Sequence, residues 1–534
     1  MPLAPLVPAK RPFLEESEIN FAQDLVVAPF PGWNFDSPGV VKVSGRNEPT
    51  DHLTPDSGLT LPKDNGTSLD PDMVLPPPLP SDDVLTELIH LFLTHFHHIL
   101  PCFHKASLLR DVRNRYLQTR APLVLYAIIS LAAQMHHDPA IQVQQNDWYN
   151  QAKFLYELTT REPDHALRTL QAIVCLQLHG CAKGDYSAMW LSIGKVWRQA
   201  CALGANRLDS DHQQMFQLMP EPATAVEREE LRRTLWILFM LDRELSWPTG
   251  WPHAIDDRYF KINLPLEEEA FQAMTSESED LSKHSLPFTR NLKSLIASIP
   301  STSERPNLLH CLVVANVLLG RVTEHIHSLH EDPSDPEYVE ECQKLDDHII
   351  TLRLSLPRAT TSILDAPPES RNNVIWLVTT LNTIAILLHF RVADMTDPDE
   401  SREQFSRAVI AAKNTMSVVK DASRISTDLL LNSHIAASLY IASAVLIIQW
   451  KLTGDQSLKA DIDLVGLIFD RVYEVFTFPG LKFKLALLHD MERSEESIIK
   501  MRDRGMKGLL ADCSKWKFVQ DYVTKHGIVL PHFL

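Results

Sequence analysis

The stretch Thr224–Pro265 reads TAVEREELRRTLWILFMLDRELSWPTGWPHAIDDRYFKINLP, and its reading decides the fold. It opens with Thr224-Ala225-Val226-Glu227, the S/T-x-x-E spacing of a capping box, in which the Thr224 side chain accepts from the Glu227 N–H and Glu227 reaches back to the Thr224 N–H. Leu235 to Leu241 then runs without a polar residue. A helix apolar on every face is buried rather than laid on a surface. Arg232 and Arg233 precede that run, and Asp242 and Arg243 follow it. Trp247-Pro248, Thr249-Gly250 and Trp251-Pro252 close it, because proline biases the residue before it away from helix. The reading is a buried helix bracketed by charges and ended by a Pro/Gly turn. Charges so placed must be paired, since an uncompensated buried charge costs several kcal/mol.

Working outward, the same signals recur along the chain. Residues 1 to 80 hold 15 of the 35 prolines and read as a largely unstructured segment. Inside it, Phe13 to Asp36 alternates acidic and apolar residues, with Phe21, Phe30, Trp33 and Phe35 as candidate contacts of an activation segment. The alternative is a tail strapped to the folded part by its aromatics. Order is expected from Ser81, a candidate helix cap, onward to residue 534. Helical spacing is read at 123–135, 148–158, 166–178, 308–330, 338–356, 374–390, 435–450, 464–478 and 507–523, with Trp516 and Phe518 as late anchors. Tyr186, Met189, Trp190, Ile193, Val196, Trp197, Ala200 and Leu203 share one face of a further helix, which Gly204 ends. The Ser, Glu and Pro of residues 267–305 read as a partly mobile insert. The fold class is therefore all-α: a large multi-helix domain over 81–534 behind a Pro-rich segment.

Composition narrows the function. The net charge is −17, whereas nucleic-acid binding rests on Lys and Arg neutralising phosphates. Lys105, Arg110, Arg113 and Arg115 form the densest positive patch and read as a solvated helix face. Seven cysteines are scattered, with no C-x2-C pair. His95, His97, His98, Cys102 and His104 cluster around Pro101, a break that leaves structural roles favoured over metal ligation. His325, His327 and His330 lack the H-E-x-x-H spacing. No phosphate-loop, dinucleotide or nucleophile-elbow motif occurs, so no catalytic residue, cofactor site or metal site is assigned. Val374–Phe390 and Ile435–Trp450 are apolar but fall short of about 20 clean residues, which favours buried helices over membrane spans. The N-terminus lacks the basic region of a secretory signal.

The pattern of Glu230, Arg232, Arg233, Trp236, Phe239, Leu241, Asp242, Arg243 and Ser246, then Gly250 and Pro252, then Asp256, Asp257, Leu264 and Pro265, resembles a known regulatory domain. It is the middle homology domain of fungal binuclear zinc-cluster transcription factors. The resemblance covers about residues 82 to 475. One position departs: Trp251 stands where the family usually has arginine. The family's six-cysteine zinc module has no counterpart here, so zinc is expected only if such a module lies upstream. The resemblance implies a nuclear transcription regulator, with some cytoplasmic fraction, that acts with the transcriptional machinery or a DNA-binding partner. Homo- or heterodimers and a small-molecule effector fit the same picture. Direct, specific DNA binding by this chain alone does not, nor does a membrane. The rival reading is a small-molecule-binding or enzymatic protein built on the same helices.

Overall fold

The computed structural model describes residues 77–159, 166–210, 222–275, 285–299, 307–329, 335–391, 398–505 and 524–525. Phe21, Phe30, Trp33 and Phe35, the helix read at 507–523 and its anchors Trp516 and Phe518 lie outside them. Among the described residues there are twenty α-helices and no strand, so the chain is all-α.

Local chemistry sets the helix limits. Asp335, Asn307 and Asp455 each cap a helix by accepting from a backbone N–H in the first turn, at Glu337, His310 and Ser457. Pro122 and Pro336 occupy first-turn positions, where a missing N–H costs nothing. Ser81 holds the N-cap position of Asp82–His95, but its side chain makes no capping bond.

Helix packing builds one large core, with a small second cluster of Val226, Phe271 and Met274. Pro122–Ala132 packs against Gln145–Thr159 and Ala166–Lys183. Arg371–His389 packs against Leu308–Ile326 and Pro398–Ile425. Ala436–Thr453 lies against Pro398–Ile425 and Gln456–Val475, and the latter folds back on Thr477–Glu492. The helix Ala225–Ser246 joins the first group to the second through Ala166–Lys183, Tyr186–Ala202 and Leu308–Ile326. Eighteen of its residues between Val226 and Ser246 are buried, and they include Leu235 through Leu241 without a gap.

Four readings need correction. Pro398–Ile425, 28 residues and the longest helix described, was not expected. Its Phe405, Ala408, Val409, Ala412, Met416 and Val419 are buried at helical spacing. The helix read at 464–478 is two helices, Gln456–Val475 and Thr477–Glu492, broken at Phe476. Leu308–Ile326 joins the two stretches read as span-like but short: it, Pro368–His389 and Ala436–Thr453 are each long and apolar enough to cross a membrane. Their most apolar windows are 89%, 89% and 67% buried inside the fold, which is where that apolar surface is satisfied. The capping box is half formed. Thr224 accepts from the Glu227 N–H at 3.2 Å, but Glu227 reaches the N–H of Ala223, one residue further out, at 2.8 Å.

Within 267–305 the described residues form two short helices, Glu268–Gln272 and Leu292–Ala297. Phe271, Leu295 and Ile296 anchor them in apolar surroundings. Residues 276–284 and 300–306 lie outside the described set.

Candidate functional site

The charges of Ala225–Ser246 are the densest buried polar system described. In its N-terminal half, Glu229 sits one turn before Arg232 and Arg233 and binds both, to Arg233 Nε at 3.0 Å. Glu229 also accepts from the Leu266 N–H at 2.9 Å. Arg232 forks onto Asp209, 2.8 and 3.1 Å from its two carboxylate oxygens. Burial opposes the Arg232 charge, yet its bonds to Asp209 and Glu229 outweigh that and hold the guanidinium above its ordinary pKa. Arg233 donates to the carbonyls of Pro101 (3.0 Å) and Leu266 (2.8 Å), pairs with Glu268, and lies 4.1 Å from the Phe271 ring centre. Glu230 accepts from the His104 N–H at 3.0 Å and faces Arg168 at 3.4 Å. Thus four carboxylates and three arginines tie the helix to residues 101–104, 168, 209 and 263–268.

The C-terminal half works as a clamp. Asp242 accepts from the N–H groups of Ala254 (3.0 Å) and Ile255 (2.9 Å) and from Arg243 (2.6 Å). Arg243 returns a bond to the Ile255 carbonyl at 2.8 Å and stacks over Phe239. Here burial prevails over the single paired carboxylate, and the Arg243 pKa falls below its ordinary value. Gly250, at φ +70°, makes the turn that brings residues 254–255 back to the helix. Pro252 supplies the carbonyl that Trp190 Nε1 binds at 3.0 Å, and Trp251 packs its ring 5.1 Å from that of Trp190. The unusual tryptophan therefore makes an aromatic contact in place of any arginine contact. Trp236 is fully buried among Phe239, Phe260 and Phe288 and donates to the Asn263 carbonyl at 2.8 Å. Asp256 caps the next turn through the Arg258 N–H, and Asp257 binds Arg290 and Arg321.

Sequence reading named Glu230, Arg232, Arg233, Trp236, Asp242, Arg243, Gly250 and Pro252, and all eight lie in or beside this system. It missed Glu229, although its i,i+3 and i,i+4 spacing to the two arginines was a usable signal. It missed Asp209, Arg168 and Glu268, which no local pattern reveals. It also missed Glu244, which accepts from Trp247 Nε1 (3.1 Å) and Trp376 Nε1 (3.2 Å). Burial pushes the Glu244 pKa up to about 7, against the pull of those indole bonds and Thr380.

The histidines around Pro101 do structural work in the geometry. His97 Nε2 meets the Phe103 carbonyl at 3.1 Å. His104 Nδ1 accepts from the Ser107 N–H, which leaves Nε2 to donate to the Gln272 carbonyl at 3.2 Å. Burial pushes the Cys102 thiol up to about 12 and so keeps it protonated. Glu87, His136 and His137 gather donor atoms within 4.8 Å, a grouping the sequence reading did not single out. His136 Nδ1 accepts from the Asp138 N–H at 3.0 Å, so its neutral ring carries the proton on Nε2, the nitrogen that faces Glu87. Glu87 lies 3.5 Å from that nitrogen and 3.2 Å from His137 Nδ1. In the positive patch, Arg110 and Arg115 pair with Asp111 and Asp82.

The hub helix and its partners from Pro101 to Asp257 fall within residues 89–320, which match the family model of the fungal specific transcription factor domain. Among curated proteins, the chain is similar to a citrinin biosynthesis transcriptional activator of Monascus ruber, 25% identical over 194 residues, 36% of this chain and 37% of the relative. It is similar to a pigment biosynthesis transcriptional activator of the same organism, 24% identical over 189 residues and 34% of each chain. It is also similar to a Zn(2)-C6 fungal-type transcription factor of Fusarium oxysporum f. sp. lycopersici, 24% identical over 294 residues, 52% of this chain and 30% of that one. The matches span about a third of the length of these relatives. No solved structure matches.

Proposed function

We propose that this chain is the regulatory part of a pathway-specific fungal transcription regulator, acting in the nucleus, with DNA contacts supplied from outside these 534 residues by a DNA-binding partner. The single observation that carries the reading is the transcription factor domain at 89–320, inside which the buried ion-pair system lies. The charge of −17 and the dispersed cysteines support the second half of it, since neither a phosphate-neutralising surface nor a zinc knuckle is available. The hub arginines, which a quick reading would offer to phosphate, are occupied by Glu229, Asp209, Glu268 and Asp242. On this reading Phe13 to Asp36 contacts the transcriptional machinery through Phe21, Phe30, Trp33 and Phe35, and the helical domain executes no reaction of its own.

The test is selection from a genomic fragment pool by the purified chain at about physiological salt, where counterion release no longer sustains weak attraction. No sequence is expected to be enriched until a DNA-binding partner is added. Enrichment by the chain alone would overturn the partner mechanism.

A further inference from the structure

Arg353 stands in the last turn of Pro336–Ser355. Among the described residues it has no acidic partner. Its one hydrogen bond runs from Nη2 to Asn382 Oδ1 at 2.8 Å, and burial alone lowers its pKa from the ordinary value. Asn382, on Arg371–His389, has no exposed surface. Its oxygen must face the guanidinium, so its amide nitrogen is fixed on the other side of the group. That nitrogen is buried and has no partner. A buried donor left unmade costs about 1–3 kcal/mol, and a half-buried guanidinium without a counter-ion adds to this. Both residues line one cavity of about 380 Å³, large enough for a small organic molecule. Ile363, Val378, Leu381 and Val418 give it an apolar wall. Asp421, at the same cavity, is engaged by Arg424 at 2.8 Å and so does not neutralise Arg353.

We propose that this cavity binds a small organic monocarboxylate, with the acid group on Arg353 and Asn382 and the apolar tail along Val378, Leu381 and Val418. Arginine presents a planar pair of N–H groups that matches a carboxylate, and the adjacent amide N–H adds a third donor. A second negative charge on the ligand would meet Asp421, which selects against dianions. The cavity lies outside the 89–320 match, among helices the family model does not cover. As an effector site it deepens the proposed regulator, but its test is binding alone, so it stands or falls apart from the transcription reading.

The purified chain is titrated by calorimetry with butyrate and phenylacetate, with their neutral amides, with succinate and with inorganic phosphate. The monocarboxylates are expected to bind and the amides and succinate to bind at least about tenfold more weakly, the loss expected for a charged hydrogen bond. Arg353→Met should lose the monocarboxylates by a similar factor. Ser417→Phe adds bulk to the cavity lining from an exposed position, and should also abolish binding in a chain whose thermal midpoint is retained. The proposal is overturned if no monocarboxylate binds, if phosphate binds and the organic acids do not, or if folded Ser417→Phe binds them as the parent does.

Discussion

Asp242 shows what a single side chain does in this fold. Its two oxygens satisfy two backbone N–H groups and one guanidinium, two of the three buried and the Ala254 N–H partly so. Asp242→Ala leaves those donors and the Arg243 charge without a partner, and should lower the unfolding free energy by about 3–5 kcal/mol in denaturant titration. A loss below about 1 kcal/mol would mean that water reaches the site. Glu244 predicts a pH effect of the opposite kind from an ion-paired carboxylate. Its folded pKa of about 7 lies above the ordinary 4.5, so the folded chain keeps a proton that the unfolded chain has released. That contribution is complete below about pH 4.5 and is lost as pH rises through about 7. Glu244→Gln removes the titration. The thermal midpoint of the parent, measured relative to Glu244→Gln, should fall between about pH 5 and about pH 8, and a constant difference would contradict the assignment. At this scale the sequence was half legible. Arg232, Arg233, Asp242 and Arg243 declared themselves because charge beside an all-apolar run has to be paired. Asp209 did not, since it lies 23 residues from the arginine it binds and only the tertiary fold brings the two together.

Among elements, the turn between Gln456–Val475 and Thr477–Glu492 is the tightest joint described. A Cβ on Gly480 would lie 2.2 Å from the Tyr473 backbone nitrogen, so the two helices can meet only over a glycine. Gly480→Ala must push them apart, at a cost of about 1–3 kcal/mol or more. Gly466→Ala, in the first of the two helices, meets only ordinary contacts, the nearest at 3.6 Å, and should be neutral or stabilising by up to about 1 kcal/mol. Paired denaturant titrations of the two variants check this, and equal effects would contradict the crossing geometry. Neither the break at Phe476 nor Pro398–Ile425 was seen in the sequence. Pro479-Gly480 follows the break by three residues and reads as the end of the helix, whereas both residues lie in the first turn of the next one. The long helix carries charge through its first turns, so its apolar stripe begins only at Phe405. Where cap and periodicity agreed, as at Gly204, the helix limit fell within a few residues of its reading, and the periodicity read from Leu308 and from Tyr338 placed those helix starts within two residues.

For the whole molecule, three apolar helices that could span a bilayer are instead enclosed by amphipathic neighbours, and Ala225–Ser246 links the two halves of that core. The match to the transcription factor family model ends at residue 320, but the core continues through Arg371–His389 and Ala436–Thr453. Regulation by a ligand in the later helices would therefore have a packed route to the domain. All-α architecture was legible because helical period, low glycine and scattered proline agree with one another. The charge of the chain was legible too, but a sum cannot show that the arginines most suited to phosphate are already engaged. The measurement that tests the central claim most directly is a genome-wide transcript comparison between a strain that produces this chain and one in which its gene is deleted and then restored. The account predicts a restricted, coordinated set of transcripts that fall or rise on deletion and return on restoration, and that fail to return when the restored copy carries Asp242→Ala. Transcript levels indistinguishable among the three strains, under conditions where the chain is made, would contradict it.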